Sequence, residues 1–158
     1  MTLREQESLA EHTTLGVGGA ARYWTEITRD EEIPEALAWA EAQGYFDQWF
    51  ESAAKALKGA LFYISEGDNK DAAFLLHQAT ERLYHCVLLV LTLYSPKSHK
   101  LNFLRSQAEQ IDPLLIAAWP RETRFEQRCW ELLRRAYVDA RYSPHYKIRD
   151  DELAWLSE

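Results

Sequence analysis

The residues of this chain predict an all-α fold: an up-and-down bundle of four to five helices behind a short strand-helix N-terminal appendage. Three observations carry that reading. From Tyr45 onward, apolar residues recur every three or four positions, the period of an amphipathic helix. Only 6 Gly and 5 Pro occur in 158 residues, too few for a loop-rich or disordered chain. A hydrophobic share of 47% can fill an ordinary core, and the length suits one domain with a short extension.

The elements follow in order. Thr13 to Glu26 reads TTLGVGGAARYWTE, a glycine cluster and then an alternating, strand-like run. Thr28-Arg29-Asp30 can cap a helix from Glu31 to Gln43, ended by Gly44, with Pro34 tolerated in its first turn. Phe46, Trp49, Phe50, Ala53, Ala54, Leu57, Leu61 and Ile64 mark the next helix, which Gly67-Asp68 ends. Asp71 to Tyr94 is long and strongly apolar toward its end, so it belongs in the centre of a bundle. Ser95-Pro96 breaks it. Leu101 to Gln110 is a shorter helix, and Asp112-Pro113 starts another that Pro120 stops. Thr123 can cap a long helix through Arg141, with Phe125, Cys129, Leu132, Leu133 and Tyr137 facing inward. Asp150 can cap a last short helix with Leu153, Trp155 and Leu156.

Charge and composition narrow the function. A net charge of -7 is a poor global field for long nucleic acid, although it leaves room for a local cationic site. Cys86 and Cys129 lack metal-ligand spacing and sit in apolar helical stretches, as buried free thiols in a reducing cytosol do. No secretory leader is visible at Met1. The longest apolar run, Val87 to Leu93, is too short to span a membrane. A cytoplasmic protein without membrane contact is expected. Six Trp and eight Tyr suit an interface as well as a core.

The densest chemistry lies at AYVDARYSPHY, Ala136 to Tyr146. Tyr137 and Arg141 are spaced i,i+4 and share a helix face; Asp139 and Tyr142 are spaced i,i+3. Ser143-Pro144 ends the helix, leaving His145 and Tyr146 just past it. A guanidinium suits phosphate, an imidazole titrates near neutrality, and the rings can stack on bases. The alternative is that Arg and Asp merely tie one helix to its neighbours. A second constellation, His77, Glu81 and His85, forms one stripe at i, i+4 and i+8. It reads as a metal site or acid-base pair, or, preferably, as a polar seam pairing with Arg134, Arg135 or Asp139. Arg121, Arg124 and Arg128 share a face diluted by Glu122, Glu126 and Glu131, so a solvated face is expected. Gly16-Val17-Gly18-Gly19 lacks the Lys-Ser/Thr of a phosphate loop. Neither a metal nor a cofactor is expected.

Two resemblances add to this. FDQWF (Phe46 to Phe50), AAFLLHQATERLYHCVLL (Ala72 to Leu89), PKSHKL (Pro96 to Leu101) and AYVDARYSPHYKI (Ala136 to Ile148) occur in the order of the HEPN family. The match resembles most the HEPN half of proteins that fuse a nucleotidyltransferase to it, and it assigns residues 45–158 to a HEPN-like bundle. Residues Glu11 to Gly44 resemble the start of UDP-N-acetylenolpyruvoylglucosamine reductase. The glycine-rich flavin loop that should follow is replaced by Tyr45-Phe46-Asp47, so residues 1–44 are expected to be a non-functional fragment, natural or engineered. The chain also stops soon after Leu156, where the family's last helix would run on, so a partly uncovered bundle face is expected.

The HEPN resemblance implies a homodimer and a module that binds nucleotide or RNA in a toxin–antitoxin or defence setting. A nucleotidyltransferase-type protein is the implied partner. Nuclease members carry an Arg followed after four to six residues by a His; here three residues, including Pro144, separate Arg141 from His145. Arg141 and His145 are therefore the candidate catalytic pair of an alternative reading, a metal-independent endoribonuclease toxin. Arg135, Asp139, Tyr142 and Tyr146 are the candidate ligand-binding residues, with Asp139 orienting Arg135 or Arg141. A third reading is a dimerisation or partner-binding scaffold.

Overall fold

The computed structural model describes residues 35–158, and among them the fold is all-α. Helices α1 (Glu35–Glu66), α2 (Asn69–Thr92) and α3 (Leu101–Ile111) are followed by a 3-10 helix (Pro113–Ala118), α4 (Arg124–Tyr142) and α5 (Asp150–Ser157). The strand expected within Thr13 to Glu26 lies outside the described residues.

The expected break at Gly44 does not occur: α1 runs through it without interruption. Glycine costs a helix interior about 1 kcal/mol relative to alanine, and two side-chain hydrogen bonds span the position. Tyr45 Oη donates to Glu41 Oε1 at 3.0 Å and Gln43 Nε2 to Asp47 Oδ1 at 2.8 Å. Propensity at one residue yields to helix on both sides. The turn at Gly67 is as expected. Its φ of +78° requires glycine, and the Asp68 N–H reaches back to Tyr63 O at 2.9 Å to close the helix end. At the far end of α2, Leu93 adopts φ +55°, and Thr92 Oγ1 donates to Leu88 O.

The described residues form two compact units, each drawing on part of α1 and part of α2. The first takes the start of α1, the end of α2, α3 and the 3-10 helix. Ala38 and Ala42 are buried with Leu93 packed against them, and Leu101, Leu104 and Ala108 are buried on α3. His85 is buried here and fixes the connection after α2. Its Nε2 meets the Ser98 carbonyl at 3.1 Å and must donate, while Nδ1 faces Ser95 Oγ at 2.5 Å. Its ring lies against Trp49, 5.2 Å between centroids.

The second unit comprises the end of α1, the start of α2, α4 and α5. Its buried positions on α1 and α2 are largely alanine: Ala53, Ala56 and Ala60 on one, Ala72, Ala73 and Ala79 on the other. A Cβ added at Gly59 would fall 2.9 Å from Leu75 Cδ1, so a larger residue there requires the Leu75 side chain to shift. α4 begins with a capping box. Thr123 Oγ1 accepts from the Glu126 N–H, and Glu126 Oε2 accepts from the Thr123 N–H at 2.8 Å. These hydrogen bonds hold the Glu126 carboxyl below its usual range.

The cap of α5 falls on Arg149, one residue before the expected Asp150, because Glu152 Oε2 accepts from the Arg149 N–H at 2.9 Å. Glu152 is wholly buried and also accepts from Arg128 Nε at 2.5 Å, so one carboxylate joins α4 to the start of α5. We expect Arg128→Met to cost about 2 kcal/mol, because it leaves a buried carboxylate with Arg149 alone. Urea unfolding checks this; a loss below about 0.5 kcal/mol, the range of an exposed ion pair, would refute it.

Candidate functional site at the end of α4

Ser143 has the extended backbone that a following proline imposes, φ -94° and ψ 121°, and its N–H still closes the last turn onto Asp139 O at 2.9 Å. The chain then folds back. The His145 N–H meets Ser143 Oγ at 3.3 Å, and Ile148 is buried two residues after Tyr146. The first residues of α2 hold this return. Asn69 Nδ2 donates to Ile148 O at 3.1 Å and Lys70 Nζ to Ser143 O at 3.1 Å.

Arg141 is the centre of an aromatic cluster. Its Cζ lies 4.8 Å from the centroid of the Phe74 ring, 4.9 Å from Tyr137 and 5.0 Å from Tyr142. Nε donates to Tyr137 O at 2.9 Å. The Phe74 and Tyr137 rings are themselves stacked, 6.1 Å apart and 29° from parallel. Each ring quadrupole attracts the cation by about 0.5–1 kcal/mol at an exposed site. Among the described residues no carboxylate pairs with Arg141, so the Nη donors of its fork are not committed to an anion. Other arginines differ: Arg134 pairs with Glu131, Arg135 with Asp139, and Arg149 with Asp151. Tyr142 is 73% exposed beside the guanidinium, and His145 is exposed in the returning turn.

The residues expected to act together divide into two groups. Arg141 and Tyr142 meet. Asp139, two residues before Arg141, projects from nearly the opposite side of the helix, about 200° of rotation away. Its partner is Arg135, at 2.6 Å between Nε and Oδ2, so the orienting role expected for Asp139 falls to Arg135 and not to Arg141. Tyr146 belongs with this second group. It is buried, its hydroxyl donates to Leu132 O at 2.8 Å, and burial first, then the charges of Arg135 and Asp139, act on its titration. Burial drives its pKa far above the ordinary phenol value. As placed, Tyr146 anchors the returning segment to α4, with its ring buried.

Two residues of this site escaped sequence reasoning, Lys70 and Phe74 on α2. Their i,i+4 spacing puts them on one face, but nothing local indicates that the face meets the end of α4. The expected seam also differs from what is found. Arg134, Arg135 and Asp139 pair along their own helix instead of with the histidine stripe. His77 Nδ1 and Glu81 Oε2 lie 3.7 Å apart, and the His77 ring packs on Tyr137 at 5.4 Å. Among the described residues, no three His, Cys, Asp or Glu side chains converge to hold a metal ion. The two thiols are free and buried, and burial, with help from the Glu152 charge, pushes Cys129 up to about 11. No helix of the described residues is long and apolar enough to cross a membrane.

An all-α domain with an arginine and aromatics at the end of a late helix is the class that the fold and site define. Residues 46–154 match the model of the HEPN domain, and the chain belongs to that family. No curated protein matches it.

If Tyr146 is an anchor, Tyr146→Phe removes one buried hydrogen bond. We expect it to cost about 1 kcal/mol in urea unfolding while leaving RNA affinity unchanged. A loss of RNA affinity with unaltered stability would return Tyr146 to the ligand site.

Proposed function

We propose that this HEPN domain binds a nucleotide or a short single-stranded RNA at the end of α4, as part of a toxin–antitoxin or defence system in the cytoplasm. The observation that carries this reading is the Arg141 guanidinium, set among three rings without a carboxylate partner among the described residues. A planar fork for phosphate beside an exposed ring for stacking is the combination single-stranded ligands use. The net charge of -7 argues for a short ligand that engages a few phosphates over a long duplex. The unit proposed to act is the HEPN domain, residues 46–154 by the family match, with the start of α1 packed against it at Ala38 and Ala42. The nucleotidyltransferase-type partner implied by the fused relatives would be a separate protein.

The second reading, a metal-independent endoribonuclease, is favoured by the exposure of both Arg141 and His145. There the imidazole would take or give the proton of the 2′-hydroxyl or leaving oxygen, and the guanidinium would stabilise charge at phosphorus. Pro144 places His145 outside helical geometry, which favours binding over cleavage.

We also propose a homodimer. Trp39, Phe46 and Phe50 lie within one stripe of α1 and remain exposed, with the Phe46 and Phe50 rings stacked at 5.0 Å. Exposed aromatic stripes of this kind mark interfaces.

Two experiments test these proposals. Incubated with mixed-sequence RNA and EDTA, the protein should bind without cleaving, and Arg141→Ala should weaken binding about tenfold. The salt dependence should be shallow, with a logarithmic slope of about -1 to -1.5 for two phosphates on a single strand. Cleavage by the wild type but not by the Arg141→Ala/His145→Ala double variant would establish the nuclease instead. Sedimentation should show a dimer that Phe46→Glu/Phe50→Glu converts to monomer; a wild-type monomer at all concentrations would remove the dimer proposal.

A further inference from the structure

We propose that the end of α4 recognises a terminal phosphate, a monoester carried by a nucleotide or by one end of a short RNA. Arg141 and Lys70 would hold it, and Phe74 would act as the positioning residue. This inference rests on the reading that the end of α4 binds nucleotide or RNA, and it narrows that reading to one kind of phosphate.

Lys70 and Phe74 are successive on one face of α2, and both reach the end of α4. Lys70 Nζ sits 3.1 Å from Ser143 O, while the Phe74 centroid sits 4.8 Å from Arg141 Cζ. Two cations from different helices thus lie at the end of α4, Lys70 on the carbonyl of its C-cap Ser143 and Arg141 on its last turn. Among the described residues neither has a carboxylate partner. The nearest acid on α4, Asp139, is already neutralised by Arg135. The helix C-terminus carries partial negative charge, which helps to draw both cations there without consuming them as a salt bridge would.

Two positive charges match the charge of a phosphate monoester, which is -1.5 to -2 near neutrality, better than the single charge of an internal diester. A monoester also presents three oxygens, enough for a guanidinium fork and an ammonium together. Phe74 has no donor and cannot touch phosphate usefully. Its contribution is to the plane of the guanidinium. With Nε fixed on Tyr137 O and Phe74, Tyr137 and Tyr142 around Cζ, the fork keeps one orientation before the ligand arrives. A preorganised donor pair loses less conformational entropy on binding than a free side chain. Lysine at 141 would keep the charge but lose both the fork and the stacking.

The test is fluorescence anisotropy with the full chain and one short RNA sequence in three forms: 5′-phosphate, 3′-phosphate, and hydroxyl at both ends. One phosphorylated form should bind about tenfold more tightly than the hydroxyl form. Lys70→Gln and Phe74→Leu should each reduce that ratio to about twofold or less, and Arg141→Lys should reduce it despite its retained charge. Lys70 is exposed, so its variant decides the matter even if Phe74→Leu fails to fold. Equal binding of all three forms would overturn the monoester inference and leave RNA binding standing. Absence of binding by any form would remove both. A preference that survives Lys70→Gln and Phe74→Leu would place the phosphate elsewhere and overturn the inference.

Discussion

Glu152 is the constraint on which the second unit depends. A carboxylate with no exposure must have partners, since an unpaired buried charge is strongly destabilising. Its partners come from two places in the sequence: Arg128 on the first turns of α4, and Arg149 through both its backbone N–H and its side chain. Satisfying this one group sets where α5 starts and where it lies against α4. The segment that turns back after Pro144 has to connect those two fixed points. Its path past Lys70 and Asn69, with Tyr146 reaching down to Leu132 O, follows from that requirement. The end of α4 is therefore positioned by an ion pair on the far side of the same helix.

Within this frame the electrostatics of α4 sort themselves by partner. Most of its charged residues neutralise one another along the helix or across to α5. Arg141 is surrounded by rings in place of acids. Aromatic faces stabilise a cation without cancelling its charge, so the site keeps positive potential in a protein whose net charge is -7. That local exception to the global charge is the ground on which a small anionic ligand is proposed over a long one.

Much of this was legible in the sequence, for identifiable reasons. Apolar periodicity gave the helices after Gly67, because tertiary packing there agrees with local preference. Thr123, and Ser143 before Pro144, marked both ends of α4 through chemistry that acts within four residues, although the Glu126 half of the capping box appears only in the structure. Gly44 misled, since the side-chain bonds that carry α1 across it depend on helix already present on both sides. Of the candidate site, the closeness of Arg141 and Tyr142 at one helix end was legible in their spacing, whereas the burial of Tyr146 was not, and Lys70 and Phe74 enter only through the packing of α2 on α4. The HEPN family assignment, in contrast, followed from motifs spread over the whole bundle, and residues 46–154 bear it out.

Leu93 carries a different kind of consequence. A left-handed backbone at a helix end is normally given to glycine, because any other L-residue is strained there by roughly 1–2 kcal/mol. Here the position is occupied by leucine, whose side chain packs against Ala38 and Ala42. Backbone preference and core burial are in conflict at this one residue, and burial prevails. The end of α2 is thus a site of local frustration. Local hydrogen bonds of Thr92 hold the turn, and the cover that the start of α1 gives the Leu93 side chain offsets its strain, which ties the shape of a helix terminus to a contact some fifty residues away in sequence.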